Sequence, residues 1–329
     1  MTTAAVRTGR TAGGALPLAG FGAAAGLALV AALRAPAGLA VLGLATFGIL
    51  HNVLELRYVS GRFERILTGR FLSLLLLLIS GIVLCRLLPA APGTKAAEIL
   101  LAYGVLAAAC LHALRRRPLL LAAAAAVLLG AAAASLAFPD YHFVVLTHLH
   151  NLVPLLFLWE WSRTLPRGRA AFLAVQCAWV LAVPALLLSG ALDGPLAAGT
   201  ATTDRLAAAY TPPAWLHTPA GLRFVAVFAF LQTMHYVVWV WFLPRYASDA
   251  AASFDRRVPL LRGPRAWLFG AGAGAALAVL FASDYAQGKA LYAAVASYHA
   301  YLEFPVLLML VLGMAPGAGA AERNSRAAR

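Results

Sequence analysis

Four short stretches hold most of the side chains with the capacity for chemistry: His51-Asn52-Val53-Leu54-Glu55, His148-Leu149-His150-Asn151, Gln232-Thr233-Met234-His235-Tyr236 and Tyr298-His299-Ala300-Tyr301-Leu302-Glu303. Imidazole is the commonest protein metal ligand, and neutral histidines converging from separate helices make a site for iron, zinc or copper. The acids sharpen that expectation. Glu55 follows His51 by four residues and Glu303 follows His299 by four, so on a helix each carboxylate shares its histidine's face, one turn away. From there it can orient the ligating ring through its second nitrogen or bind the metal itself. The expected ligand set is therefore His51, His150, His235 and His299, with Glu55 and Glu303. His148 and His150 point about 200° apart around a helix, so only one of them faces a common centre, and His150 beside Asn151 is preferred. Asn52, His148, Asn151 and Gln232 are the expected supporting groups or alternate ligands. Tyr236, Tyr298 and Tyr301 are the expected catalytic groups, positioning oxygen or substrate.

These stretches lie within apolar runs. The 329 residues are 62% hydrophobic and 12% charged, with a mean hydropathy of +0.82, whereas a soluble domain carries roughly 25% charged residues. Runs near 15–33, 37–57, 71–90, 97–114, 118–138, 143–162, 170–190, 221–243, 265–283 and 289–313 match the length that crosses about 30 Å of hydrocarbon at about 1.5 Å per residue. The expectation is an all-α polytopic integral membrane bundle. Residues 1–14 would be a cytoplasmic tail, 15–313 a single transmembrane domain, and 314–329 a disordered cytoplasmic tail. The first run follows Arg7 and Arg10 as a signal peptide would, but so many equal runs follow that a retained helix is expected.

The net charge of +14 is a topology signal. With the N-terminus inside, all but six of the 26 Lys and Arg fall on the cytoplasmic side, and those six are Arg34, Arg86, Lys95, Arg205, Arg223 and Lys289. Anionic lipid headgroups are the natural partners of such loops. No soluble basic surface with interleaved aromatics is present, so nucleic-acid binding is not expected. In this topology the even-numbered runs are parallel. His51, His235 and His150 then lie roughly 9, 15 and 20 Å from the basic edge, close enough for tilt to bring them into one layer with His299.

Other features read as structural. His112, His142 and His217 sit at helix ends or in a loop, and Cys85, Cys110 and Cys177 form no CxxC pair and read as packing residues. Trp159, Trp161, Trp239 and Trp241 read as an interfacial belt. The Ala-rich runs, with Ala122 to Ala126, Ala131 to Ala134 and Gly270, Gly272 and Gly274, read as close-packing scaffold. Residues 189–222 read as a surface cap or re-entrant segment. Asp140 reads as a gate at the outer mouth or a helix cap, and the arginines of the stretch Glu55 to Arg62 as a topology signal or a grip for an acidic group.

The order of the polar clusters resembles that of the bacterial and archaeal membrane β-carotene-cleaving dioxygenases of the Brp/Blh type. His51-Asn52-Val53-Leu54-Glu55 is similar to that family's His-Gly-Ala-Leu-Asp motif, and Tyr298-His299-Ala300-Tyr301-Leu302-Glu303-Phe304 resembles its closing His motif. Where the family's penultimate cluster carries His-xxx-His, this chain has His235 and Trp239. The resemblance implies a helix bundle in a bacterial plasma membrane, with a non-haem iron held by histidines that activates O2 against a hydrophobic polyene.

The leading expectation is thus a membrane metalloenzyme, an iron-dependent oxidase or oxygenase acting on an isoprenoid- or lipid-like substrate, with copper, zinc and haem as other possible cofactors. A haem-binding electron carrier and a proton-coupled transporter using the same His and Glu residues are the alternatives. Walker, His-Glu-xx-His and Gly-x-Ser-x-Gly motifs are absent, which removes ATP-driven transport, zincin proteolysis and ordinary hydrolase chemistry from the front rank.

Overall fold

The computed structural model describes residues 15–89, 91–165, 167–197 and 201–312. Among the described residues are ten helices long and apolar enough to cross a membrane, and no strand. They are α1 (Ala15–Arg34), α2 (Pro36–Arg62), α3 (Gly69–Leu87), α4 (Pro92–Leu114), α5 (Pro118–Ala137), α6 (Pro139–Ser162), α7 (Arg169–Leu188), α8 (Pro219–Tyr246), α9 (Pro264–Ser283) and α10 (Tyr285–Val311). Every expected run is recovered. The expected tails, 1–14 and 314–329, lie outside the described residues.

Local chemistry sets the helix starts. Pro36, Pro92, Pro118, Pro139, Pro219 and Pro264 each open a helix, where a ring with no N–H costs no hydrogen bond and its fixed φ is already helical. The Asp284 side chain caps α10 by accepting from the Gln287 N–H at 3.0 Å. Prolines also break the interiors. Pro154 has no N–H, so α6 is interrupted at Val153, whose own N–H turns back to the Leu149 and His150 carbonyls. Pro184 and Pro244 each follow a π-helical turn, Ala178–Ala182 and Val237–Phe242, which widens the backbone just ahead of the ring.

Helices α8 and α10 form the centre, with 72% and 67% of their spanning windows buried. Helix α2 packs against α1, α8, α9 and α10, and α6 packs against α8, so the four helices that carry the polar stretches are neighbours. Helix α5 has no buried residue and lies outside α4. Its alanines pack on one side only, against α4, and the rest of their surface is uncovered. Close approach occurs instead at Gly270 on α9, where an added Cβ would lie 3.0 Å from Leu50 Cα on α2, while Gly272 faces open space.

The tryptophans divide as well. Trp239 is fully buried, edge-on to Phe157 at 5.2 Å and Tyr58 at 5.6 Å, and so belongs to the core rather than to an interfacial belt, because α8 is central along its whole length. Trp159 lies 4.0 Å beneath the Arg163 guanidinium, and Trp161 donates to the Tyr246 carbonyl.

Ion pairs tie the two ends of the bundle. At the basic end Arg57 makes two 2.7 Å bonds to Asp255 and Arg62 pairs with Glu160, so these two arginines are engaged within the protein rather than presented to an acidic ligand. At the opposite end Lys95 pairs with Asp140 at 3.0 Å. There the segment after α7 forms a cap: Ala197 N–H donates to the Leu33 carbonyl, Tyr210 of the short helix Ala201–Tyr210 stacks on Phe228 at 3.5 Å, and Thr211 donates to the Gly221 carbonyl. The Arg223 guanidinium beside Asp193 holds that carboxyl below its usual range.

The Gly270 contact is with backbone, which cannot move aside. Gly270→Val is expected to destabilise the protein by about 1–3 kcal/mol through overpacking, seen as a lower Tm in detergent, whereas Gly272→Ala leaves Tm unchanged or raised.

Candidate metal centre

The four expected histidines meet. His51, His150, His235 and His299, one each from α2, α6, α8 and α10, bring one ring nitrogen apiece to within 4.8 Å of the others. Three are almost wholly buried, and His150 is partly so. Their rings close a circuit, with centroids 5.1 Å apart from His51 to His235, 4.6 Å from His235 to His150, 4.9 Å from His150 to His299, and 4.9 Å back to His51.

The nitrogens of this circuit point inwards. Nε2 of His299 stands 3.3 Å from Nε2 of His51 and 3.3 Å from Nε2 of His150. Nitrogens sharing one ion at bond lengths of about 2.0–2.1 Å are roughly 3.3–3.4 Å apart in a tetrahedron, so this spacing is what a single cation would impose. The outer nitrogens explain why Nε2 is free. His51 Nδ1 donates to the Phe47 carbonyl one turn back at 2.9 Å, and His150 Nδ1 donates to Glu303 Oε2 at 2.8 Å. A donating Nδ1 fixes the tautomer that leaves Nε2 as a lone-pair ligand.

Each carboxylate lies against a histidine of a neighbouring helix rather than the one four residues before it. Glu303 reaches across to His150 on α6, not to His299. Glu55 approaches His235 on α8, with Oε2 3.8 Å from Nε2, not His51. A residue four positions on does share the face, but it lies one turn beneath its histidine and meets the ring of a neighbouring helix. Both carboxylates are buried, and both Glu55 oxygens and Oε1 of Glu303 lack a hydrogen-bond donor among the described residues. Buried carboxyl oxygens without a donor are costly, so these atoms call for a partner. The group whose spacing fits a single ion is the four imidazole nitrogens, and neither carboxylate is part of it.

A cavity of about 400 Å³ adjoins the circuit, lined by all four histidines and by apolar groups that include Phe143, Val144, Phe228 and Phe304. Asn151, Gln232 and Tyr236 are on its wall. Gln232 Nε2 donates to the Tyr236 hydroxyl at 2.9 Å, and the Tyr236 ring lies 4.6 Å from that of His51. Towards the capped end the lining includes Lys95, Asp140 and Lys289. Asp140 thus sits at a mouth, in the first turn of α6 and paired with Lys95.

Other expected groups turn elsewhere. His148 points away from the circuit and its Nε2 bonds the Tyr210 carbonyl of the cap at 2.8 Å, as the 200° offset from His150 requires. The Tyr298 hydroxyl meets Ser80 on α3 and does not line the cavity. Tyr301 lines it, but its hydroxyl donates to Glu98 at 2.8 Å. Asn52 is buried beside His51, with neither amide atom hydrogen-bonded among the described residues. His112 stacks on Phe71, and the three cysteines are free.

Sequence reasoning missed the partners of Tyr301. Arg86 on α3 bonds Glu98 on α4 at 2.6 Å and lies 5.4 Å over the Tyr301 ring. The signal was present as two opposite charges in consecutive apolar runs, but Arg86 was counted with the loop cations. Tyr292, also on the cavity wall, was missed because it carries no charge and lies in no cluster. Compared with family models, curated proteins and solved structures, the chain has no match.

Glu303→Gln keeps the volume but removes the carboxylate that orients His150. It is expected to weaken metal retention 10–100-fold in chelator competition, the usual cost of losing such a partner, while His148→Phe leaves retention unchanged.

Proposed function

We propose that the chain is a membrane-embedded metalloenzyme that binds non-haem iron through His51, His150, His235 and His299 and oxidises a lipophilic, isoprenoid- or lipid-like substrate with O2. The observation that carries this reading is the closed circuit of four imidazoles from four helices, their nitrogens within 4.8 Å of one another and Nε2 of His299 3.3 Å from those of His51 and His150, beside a largely apolar cavity. Glu55 and Glu303 would supply the compensating charge. The donor set, nitrogen with carboxylate oxygen and no sulfur, suits iron among the redox metals. The resemblance to membrane β-carotene-cleaving dioxygenases points the same way.

Iron held there would supply activation of O2 against a carbon–carbon double bond. Cleavage of one such bond places one oxygen atom on each carbon as a carbonyl, so no external reductant is required. The protein's own groups bind and orient. The apolar walls, among them Phe143, Phe228 and Phe304, would hold the chain and exclude water, and Tyr236, fixed by Gln232, would hold the reacting segment against the His51 side of the circuit. Four imidazoles gathered within 4.8 Å would hold a single bare ion more readily than a haem, which favours non-haem iron over haem.

Purified protein is expected to carry about one iron per chain by elemental analysis and to show no Soret band. Alanine at His51, His150, His235 or His299 should remove the metal one variant at a time, and alanine at His112 or His217 should not. Wild-type protein without stoichiometric iron, copper or zinc sinks the reading.

A further inference from the structure

A second cavity, of about 340 Å³, lies among α4, α5, α6 and α10. Leu146, Tyr301 and Phe304 line both it and the cavity beside the histidines, so one thin partition of side chains separates the two. Its outer wall is α5, the helix with no buried residue, which places the cavity next to the lipid. Most of the lining is apolar, including Ala102, Val105, Leu106 and Leu149.

One part is polar and organised. The Tyr103 hydroxyl and Ser135 Oγ are 2.9 Å apart, and Ser135 Oγ is 3.0 Å from His142 Nδ1. All three residues line the cavity. The other ring nitrogen, His142 Nε2, is buried and has no hydrogen-bond partner among the described residues. A buried ring nitrogen left unpaired is costly, so this one calls for a ligand atom. If the chain of bonds runs from Tyr103 through Ser135 to Nδ1, Nε2 carries the proton and donates; if it runs the other way, Nε2 accepts. A hydroxyl group, being donor and acceptor, satisfies either tautomer.

We infer that this second cavity is the distal subsite of the substrate, holding the hydroxylated end of an elongated lipid or isoprenoid chain on His142 Nε2 while the unsaturated part crosses the Leu146, Tyr301 and Phe304 partition to the histidine circuit. The inference rests on the metalloenzyme reading for the second half of that path, but the binding it describes is independent of metal. It assigns to His142, which by sequence reads as a helix-end residue, the selection of a chain-terminal oxygen.

The test is equilibrium partition of geranylgeraniol, and separately of the corresponding hydrocarbon lacking the hydroxyl, between protein-loaded and empty nanodiscs. Wild-type protein is expected to favour the alcohol over the hydrocarbon by roughly three- to tenfold, the worth of one such hydrogen bond. His142→Phe should remove that preference without changing affinity for the hydrocarbon or the metal content. Ser135→Ala, a mild change on the peripheral helix, should reduce the preference by loosening the ring. Equal retention of alcohol and hydrocarbon by metal-bearing wild-type protein, or a preference that survives His142→Phe, overturns the subsite and leaves the metal centre untouched. Wild-type protein without metal that still shows the His142-dependent preference overturns the metal centre and supports the subsite.

Discussion

The interior of this bundle is organised around the contact between Glu303 and His150. A carboxylate with no exposed surface accepts the Nδ1 proton of an imidazole from another helix, and that single bond fixes three things. It turns Nε2 of His150 towards His299, it locks α6 to α10 at the depth of the circuit, and it leaves one carboxylate oxygen without a donor. Polar groups at that depth are costly by roughly 3 kcal/mol each on insertion scales, so helices that carry them are stable only when they face one another. The four helices that carry the circuit's histidines are therefore neighbours, and α5, which has nothing polar to hide beyond Ser135, is left outside.

The breaks in the helices serve the same centre. Pro154 follows His150 by four residues and removes the N–H that would have bonded the His150 carbonyl, so the hydrogen-bond ladder of α6 is interrupted just past its circuit histidine. The π-helical turn of α8 begins right after His235 and Tyr236, and a widened turn shifts the faces that follow it. Trp239, Tyr58 and Phe157 then fill the space on the basic side of the centre, closing it in that direction, while the cavity opens the other way, towards the cap and α5.

Arg86, Glu98 and Tyr301 form the other buried polar assembly. It ties α3, α4 and α10 together and stands between the two cavities. Opposite charges satisfied at short range are tolerated at membrane depth, where either alone is not. Tyr301, its hydroxyl committed to Glu98, thereby becomes a fixed part of the wall that both cavities share.

Much of this was legible in the residues alone. Length and hydropathy determine ten helices because a bilayer demands that backbone groups be satisfied within each span, and proline at a helix start announces its position. The four converging histidines were also legible, since ionisable groups in apolar runs are rare enough that four clusters of them point to one another; the 200° offset said only that His148 and His150 could not both face the centre, and His150 was preferred for its place beside Asn151. Sequence spacing along one helix could not reveal which carboxylate serves which ring. The i,i+4 rule puts Glu55 beneath His51 and Glu303 beneath His299, yet Glu303 bonds His150 and Glu55 lies nearest His235, at 3.8 Å, because the partner is set by packing between residues far apart in the chain. For the same reason only the tertiary structure decided that Trp239 is core, that the alanines of α5 are covered on one side only, and that His142, unremarkable at a helix end, stands in a second cavity with a ring nitrogen unpaired among the described residues.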